Sequence, residues 1–161
     1  MLPLPAAPAV PATRLLPTLA ERLKSLRVLV AVAEHGSALR AAQAIHLSQP
    51  AVTRAVLELE KACQLDLFVR ASKGMVPTPM GAKLVLRTRA VFDHLAEGAR
   101  AALAAAFEQV PKAGSAQRFA EVVSPSALRA MLAITSQGSE AKAAQLLGVT
   151  QPAVHAALHG L

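Results

Sequence analysis

The stretch SQPAVTRAV that begins at Ser48 returns as TQPAVHAAL at Thr150, 102 positions later. The correspondence runs without a gap from residues 26–59 onto residues 128–161, and 14 of the 34 aligned positions are identical. Those identities include Gly36 with Gly138, Ser37 with Ser139, the two Ala-Ala-Gln triplets and the two Gln-Pro-Ala-Val quartets. A shared bias toward alanine would not place glycine, serine and proline in the same register, so the pattern is an internal repeat. Each copy must then spell the same order of elements. A helix is stopped by glycine, a serine caps a short second helix, and a hydroxyl residue caps a third helix with proline in its first turn.

The apolar spacing agrees. Leu23, Leu26, Leu29, Val30 and Ala33 recur on one face of a first helix that Gly36 ends. Ser37 then caps ALRAAQAIH, where Ala41 and Ala42 allow a neighbouring helix to approach closely. After a short break Ser48 caps a third helix, with Pro50 where a missing amide donor costs nothing and a buried stripe of Val52, Ala55, Val56 and Leu59. Two short helices joined by a tight turn make a helix-turn-helix. The following LDLFVRASKGMVPTP reads as a two-stranded wing around Lys73 and Gly74.

Thr78 caps a long helical run with Leu84, Val91, Leu95, Ala99, Ala102 and Ala106 along it. A helix of this length outruns a small winged domain, so Leu84, Val91, Leu95 and Ala99 are expected to form a dimerisation seam with another chain. Pro111 and Gly114 break the run. The expected fold class is mainly α, a winged helix-turn-helix with a long linker and dimerisation helix, followed by a second, incomplete helix-turn-helix. The expected divisions are a proline-rich disordered leader (1–17), the winged domain (18–79), the long helix (80–110), a linker (111–125) and the second unit (126–161).

Charge narrows the partners. The chain of 161 residues carries a formal net charge of +7 with a pI near 10.5, an excess that suits a polyanion, nucleic acid first and an anionic membrane surface second. The prolines at positions 3, 5, 8, 11 and 17 would break the helix of a signal peptide, and no apolar run reaches the roughly 18 residues of a membrane span. The lone Cys63 excludes an intrachain disulfide framework and suits a reducing cytoplasm. His155 and His159 stand one helical turn apart, but no third ligand accompanies them, so no metal and no cofactor is expected. No Ser-His-acid set, glycine-rich phosphate loop or carboxylate pair stands out, which argues against an enzyme.

At residues 26–98 the chain resembles the LysR-type transcriptional regulators. The resemblance is carried by the Gly-Ser break, Ala-Ala in the second helix, Ser-Gln-Pro-Ala-Val opening the third, Leu-Phe-x-Arg, and Thr-x-x-Gly. It implies a winged helix-turn-helix, dimerisation through the linker helix, and an effector-binding domain that these 161 residues do not include. It also implies that Gln49, Pro50 and Thr53 face base edges and that Ser48 and Arg54 lie beside phosphates. Arg70, Ser72 and Lys73 would reach the backbone or the minor groove. Residue chemistry agrees, because positions 50, 53, 54 and 57 share the face opposite the buried stripe and glutamine can bond adenine bidentately.

The chain departs from the family pattern at Ala38 and Leu39, and at Leu57 and Glu58, where basic residues are common. That predicts weaker DNA affinity than is typical. In the second copy His155 replaces Thr53 and Ala156 replaces Arg54, and no wing follows within the sequence, so this unit is expected to bind DNA weakly or not at all. The leading expectation is a cytoplasmic, sequence-specific regulator that binds double-stranded DNA as a homodimer or higher homo-oligomer through its first unit. A small-molecule effector enters only with a C-terminal domain, and no membrane is involved. The alternative is an interaction module that pairs with a related regulator without reading DNA.

Overall fold

The computed structural model describes residue 19 and residues 21–72, 74–106 and 114–159. The proline-rich leader and Lys73 lie outside the described residues. Two compact units divide between Ala90 and Val91, within the longest helix.

The first unit opens with α1 (Leu23–His35), α2 (Ala38–Ala44) and α3 (Gln49–Cys63). Both serine caps form as their chemistry dictates: Ser37 Oγ accepts from the Arg40 amide at 3.1 Å and Ser48 Oγ from the Ala51 amide at 3.3 Å. The three helices pack on one another, with Ala41 and Ala42 buried at the crossing. Leu29, Val32, Val52 and Leu59 are fully buried, each withdrawn from water at a gain of about 2 kcal/mol. Val28 and Ala31 are buried too, whereas Val30 and Ala33 are only half-buried. α1 is therefore covered on two sides, and a single-face spacing could not show the second. Cys63 joins the core, and burial pushes its thiol pKa up against a smaller lowering by Arg22.

The wing consists of β1 (Phe68–Ala71) and β2 (Gly74–Pro77), antiparallel, with Arg70 opposite Met75 and Ala71 opposite Gly74. It docks on the end of α1, where the Met75 amide donates to the Gly36 carbonyl at 2.7 Å. Gly74 is required at that contact: its φ is +118°, and a Cβ there would collide with the Gly36 carbonyl oxygen. At the wing's other end Thr78 Oγ1 donates to the Asp66 carbonyl at 2.8 Å and accepts from the Gly81 amide at 3.0 Å. Thr78 thus ties the hairpin's base to the first turn of α4 (Pro79–Ala106). Gly81 passes so close to Leu67 that a Cβ would overlap its carbonyl oxygen. An Arg89–Glu34 ion pair at 2.9 Å joins α4 to α1; half-exposed as it is, it contributes at most about 1 kcal/mol.

The second unit contains α5 (Ser115–Val122), α6 (Pro125–Gln137), α7 (Glu140–Leu147) and α8 (Gln151–His159). α5 runs within the segment expected as a linker over 111–125. Ala116, Ala120 and Val123 fall on one helical face and are buried, a stripe that the flanking Pro111 and Gly114 obscure in the sequence. α6, α7 and α8 each begin 102 residues after α1, α2 and α3. They close on a small core of Ala130, Ala133, Ala143, Ala144 and Val154. Ser124 and Ser139 cap α6 and α7, accepting from the Ala127 and Lys142 amides. No helix among the described residues is long and apolar enough to cross a membrane.

Candidate nucleic-acid interface

The turn between α2 and α3 decides how α3 is presented. His46 sits there with φ of +55°, and the Leu47 amide reaches back to the Ala42 carbonyl at 2.9 Å. Histidine visits this left-handed region more readily than most residues, but not without strain. The corresponding position of the second unit is Gly148, at φ +65°.

Beyond the turn the apolar stripe of α3 faces inward, and Gln49, Pro50, Arg54 and Leu57 are exposed, with Thr53 half-exposed. Gln49, Pro50, Thr53, Arg54 and Leu57 together line one shallow, open depression of about 510 Å³. Four of the sequence-derived candidates are thus brought onto one surface. Ser48 lies at its edge and is engaged as the cap. Arg70 and Ser72 are exposed on the wing, a separate element, and Lys73 falls outside the described residues.

Two acidic residues on α3 were not among the candidates. Glu58 Oε1 accepts from Arg54 Nε at 3.0 Å, and its Oε2 lies 3.6 Å from Nη1 of Arg22, the residue preceding α1. The i, i+4 spacing of Arg54 and Glu58 is visible in the sequence; the approach of Arg22 is not. Glu60 Oε1 accepts from the amides of Leu67 at 2.9 Å and Phe68 at 3.2 Å, so a side chain of α3 satisfies the two backbone donors at the start of the wing. Its position therefore fixes the hairpin against α3.

The equivalent face of α8 has different chemistry. His155 Nδ1 lies 3.4 Å from Glu140 Oε1, and the His155 and His159 rings meet at 4.2 Å between centroids. Ala156 stands exposed where the first unit has Arg54. A carboxylate thus adjoins this face and the permanent cation is gone. Among the described residues no group of three or more His, Cys, Asp or Glu side chains could hold a metal ion.

Along α4 the four residues expected to form a seam differ. Leu84, Leu95 and Ala99 are half-buried and Val91 is 44% exposed, while Met80 and Leu86 are also exposed. Gly81, Val85, Thr88 and Ala96 are the buried residues among those described in this helix, and they lie on the side next to the stripe of Leu84, Val91, Leu95 and Ala99.

Comparison with known proteins gives the first unit its relatives. Residues 23–82 match the family described as "Bacterial regulatory helix-turn-helix protein, lysR family". The chain is similar to the RuBisCO operon transcriptional regulator of Allochromatium vinosum, 45% identical over 75 residues, which cover 47% of this chain and 25% of the relative. It is also similar to the small neutral protease regulatory protein of Streptomyces coelicolor, 40% identical over 86 residues covering 52% and 27%. The chain thus spans about a quarter of the length of these curated relatives. Among solved structures it is similar to that of the CbnR_DBD–DNA complex, with 29% identity, a TM-score of 0.49, and coverage of 53% of this chain and 98% of the other. The family match takes in α1 to α3, the wing and the first residues of α4, and it stops before the second unit. Residues 23–82 are therefore a LysR-family helix-turn-helix domain.

Proposed function

We propose that this chain is a sequence-specific, DNA-binding transcriptional regulator that enters the major groove with the N-terminal half of α3. The observation that carries the reading is the common surface of Gln49, Pro50, Thr53 and Arg54, exposed on the third helix of a LysR-family domain. Gln49 offers a donor and an acceptor matched to adenine, Thr53 a hydroxyl and a methyl group, and Arg54 a fixed positive charge. The amides at the start of α3 add a positive dipole end suited to phosphate. Arg70 and Ser72 of the wing, with Lys73, would contact the sugar-phosphate backbone beside the groove. The net charge of +7 supplies the long-range attraction.

Assembly as a homodimer belongs to the same proposal. Val91 is an exposed aliphatic residue on a 28-residue helix, flanked by the half-buried Leu84 and Leu95. A helix from a second copy would cover this edge and place two reading helices on two half-sites.

A salt titration on a selected duplex and on a random duplex tests the reading. Binding should weaken steeply with salt on both, and the selected duplex should be preferred by about 10³-fold or more. Binding without salt dependence or preference would overturn it and favour an interaction module.

A further inference from the structure

Glu58 is the acidic group closest to the proposed reading surface, and it engages two arginines from two elements. One oxygen accepts from Arg54 Nε at 3.0 Å and the other lies 3.6 Å from Arg22 Nη1. Their exposures differ, with the Arg54 side chain 82% exposed, Glu58 45% and Arg22 35%. The carboxylate is thus held from the more covered side by Arg22 while it reaches outward to Arg54. A carboxylate and a phosphate present the same chemistry to a guanidinium, two anionic oxygens at the spacing of its donor fork. Both cannot occupy the Nε edge of Arg54 at once.

Resting on the DNA-reading role of α3, we propose that Glu58 is an intramolecular stand-in for a DNA phosphate. It engages Arg54 in the free protein and must surrender it when duplex DNA binds. The residue thereby acts as a brake on phosphate affinity. Removing the carboxylate releases Arg54 for the backbone and withdraws a negative charge that would otherwise face the phosphates. The exposure of the pair makes the exchange cheap, because an ion pair in water is weak and screened by salt. The second unit has neither partner, with Ala156 at the position of Arg54 and Gly160 at that of Glu58. The brake therefore belongs to the first unit alone.

The experiment compares Glu58→Gln, Arg54→Gln and the double variant with the wild type, on random and selected duplexes across a salt series. Glu58→Gln keeps the size of the side chain, turns one of its two acceptor oxygens into a donor amide, and removes its charge. It should raise affinity about three- to tenfold on both duplexes and steepen the salt slope by about one unit. In the Arg54→Gln background the same change should gain less than about twofold. Glu58→Ala, checked for folding by circular dichroism, should repeat the gain. Unchanged or reduced affinity in both Glu58 variants would overturn the proposal. So would a gain that persists undiminished without Arg54, since Glu58 would then act only through net charge. A wild type that binds neither duplex would remove the DNA reading itself, and this inference with it.

Discussion

Gln49 and Arg54 stand little more than one turn apart on α3, yet their losses should look different. A base-edge contact is made only on the right sequence. Gln49→Ala should therefore cost about 1–3 kcal/mol on a selected duplex and almost nothing on random DNA, as read by fluorescence anisotropy. Equal losses on both would remove Gln49 from the base-reading set. Arg54 has no sequence information to give, so Arg54→Ala should weaken every duplex and flatten the salt slope by about one unit. Its effect is tempered by Glu58, which already engages the guanidinium in the free protein. The i, i+4 spacing marks that pair in the sequence, but the second arginine on the same carboxylate is 36 residues away and only folding brings it there.

Elements are shaped by a few positions whose backbone geometry is costly. His46 holds the turn of the helix-turn-helix in a left-handed conformation, which disfavours any residue with a Cβ. His46→Gly should relieve that strain at some cost in chain entropy, for a net gain of about 0.5–1 kcal/mol in urea denaturation. A loss of stability would mean that the imidazole makes a contact worth more than the strain. On α4 the proposed dimer seam is best probed at Val91, because Leu95 is half-buried and a charge there would also disturb the chain's own packing. Val91→Asp should shift the protein toward monomer in sedimentation and lose affinity for DNA with two half-sites. A dimer that survives this change would move the seam to another surface, such as the exposed Leu86.

For the whole molecule the question is what two similar helical units contribute. α6, α7 and α8 begin in register with α1, α2 and α3, but position 29 of the first unit is a fully buried leucine and position 131 of the second is a methionine 39% exposed. In the first unit the wing and the start of α4 lie against α1; the described residues of the second unit include no strand. With Ala156 for Arg54 and Glu140 beside His155, the second unit offers few contacts to phosphate. Removal of residues 112–161 should therefore leave DNA affinity within about tenfold, roughly 1.4 kcal/mol, by anisotropy at fixed salt. A loss beyond about a hundredfold from a truncated protein that is still folded would show that the second unit contacts DNA.

The features legible in the residues alone are local. Ser37, Ser48, Ser124 and Ser139 act on amides three residues ahead, and Gly36 and Gly138 end helices by their own conformation, so caps and boundaries follow from short range. The outward face of α3 is equally local, because the periodicity that buries Val52, Val56 and Leu59 must expose Gln49, Arg54 and Leu57. α5 is not legible in the sequence because its stripe is mostly alanine between strong breakers, a pattern too weak to outweigh proline and glycine. Tertiary structure alone decided the rest. It buried the second side of α1, seated the wing on the Gly36 carbonyl through Gly74, gave Glu60 to the wing's amides, and placed Arg22 against Glu58. These contacts join residues of different elements, and nothing in local spacing specifies which donor of one element will meet which acceptor of another until the core has fixed their distance.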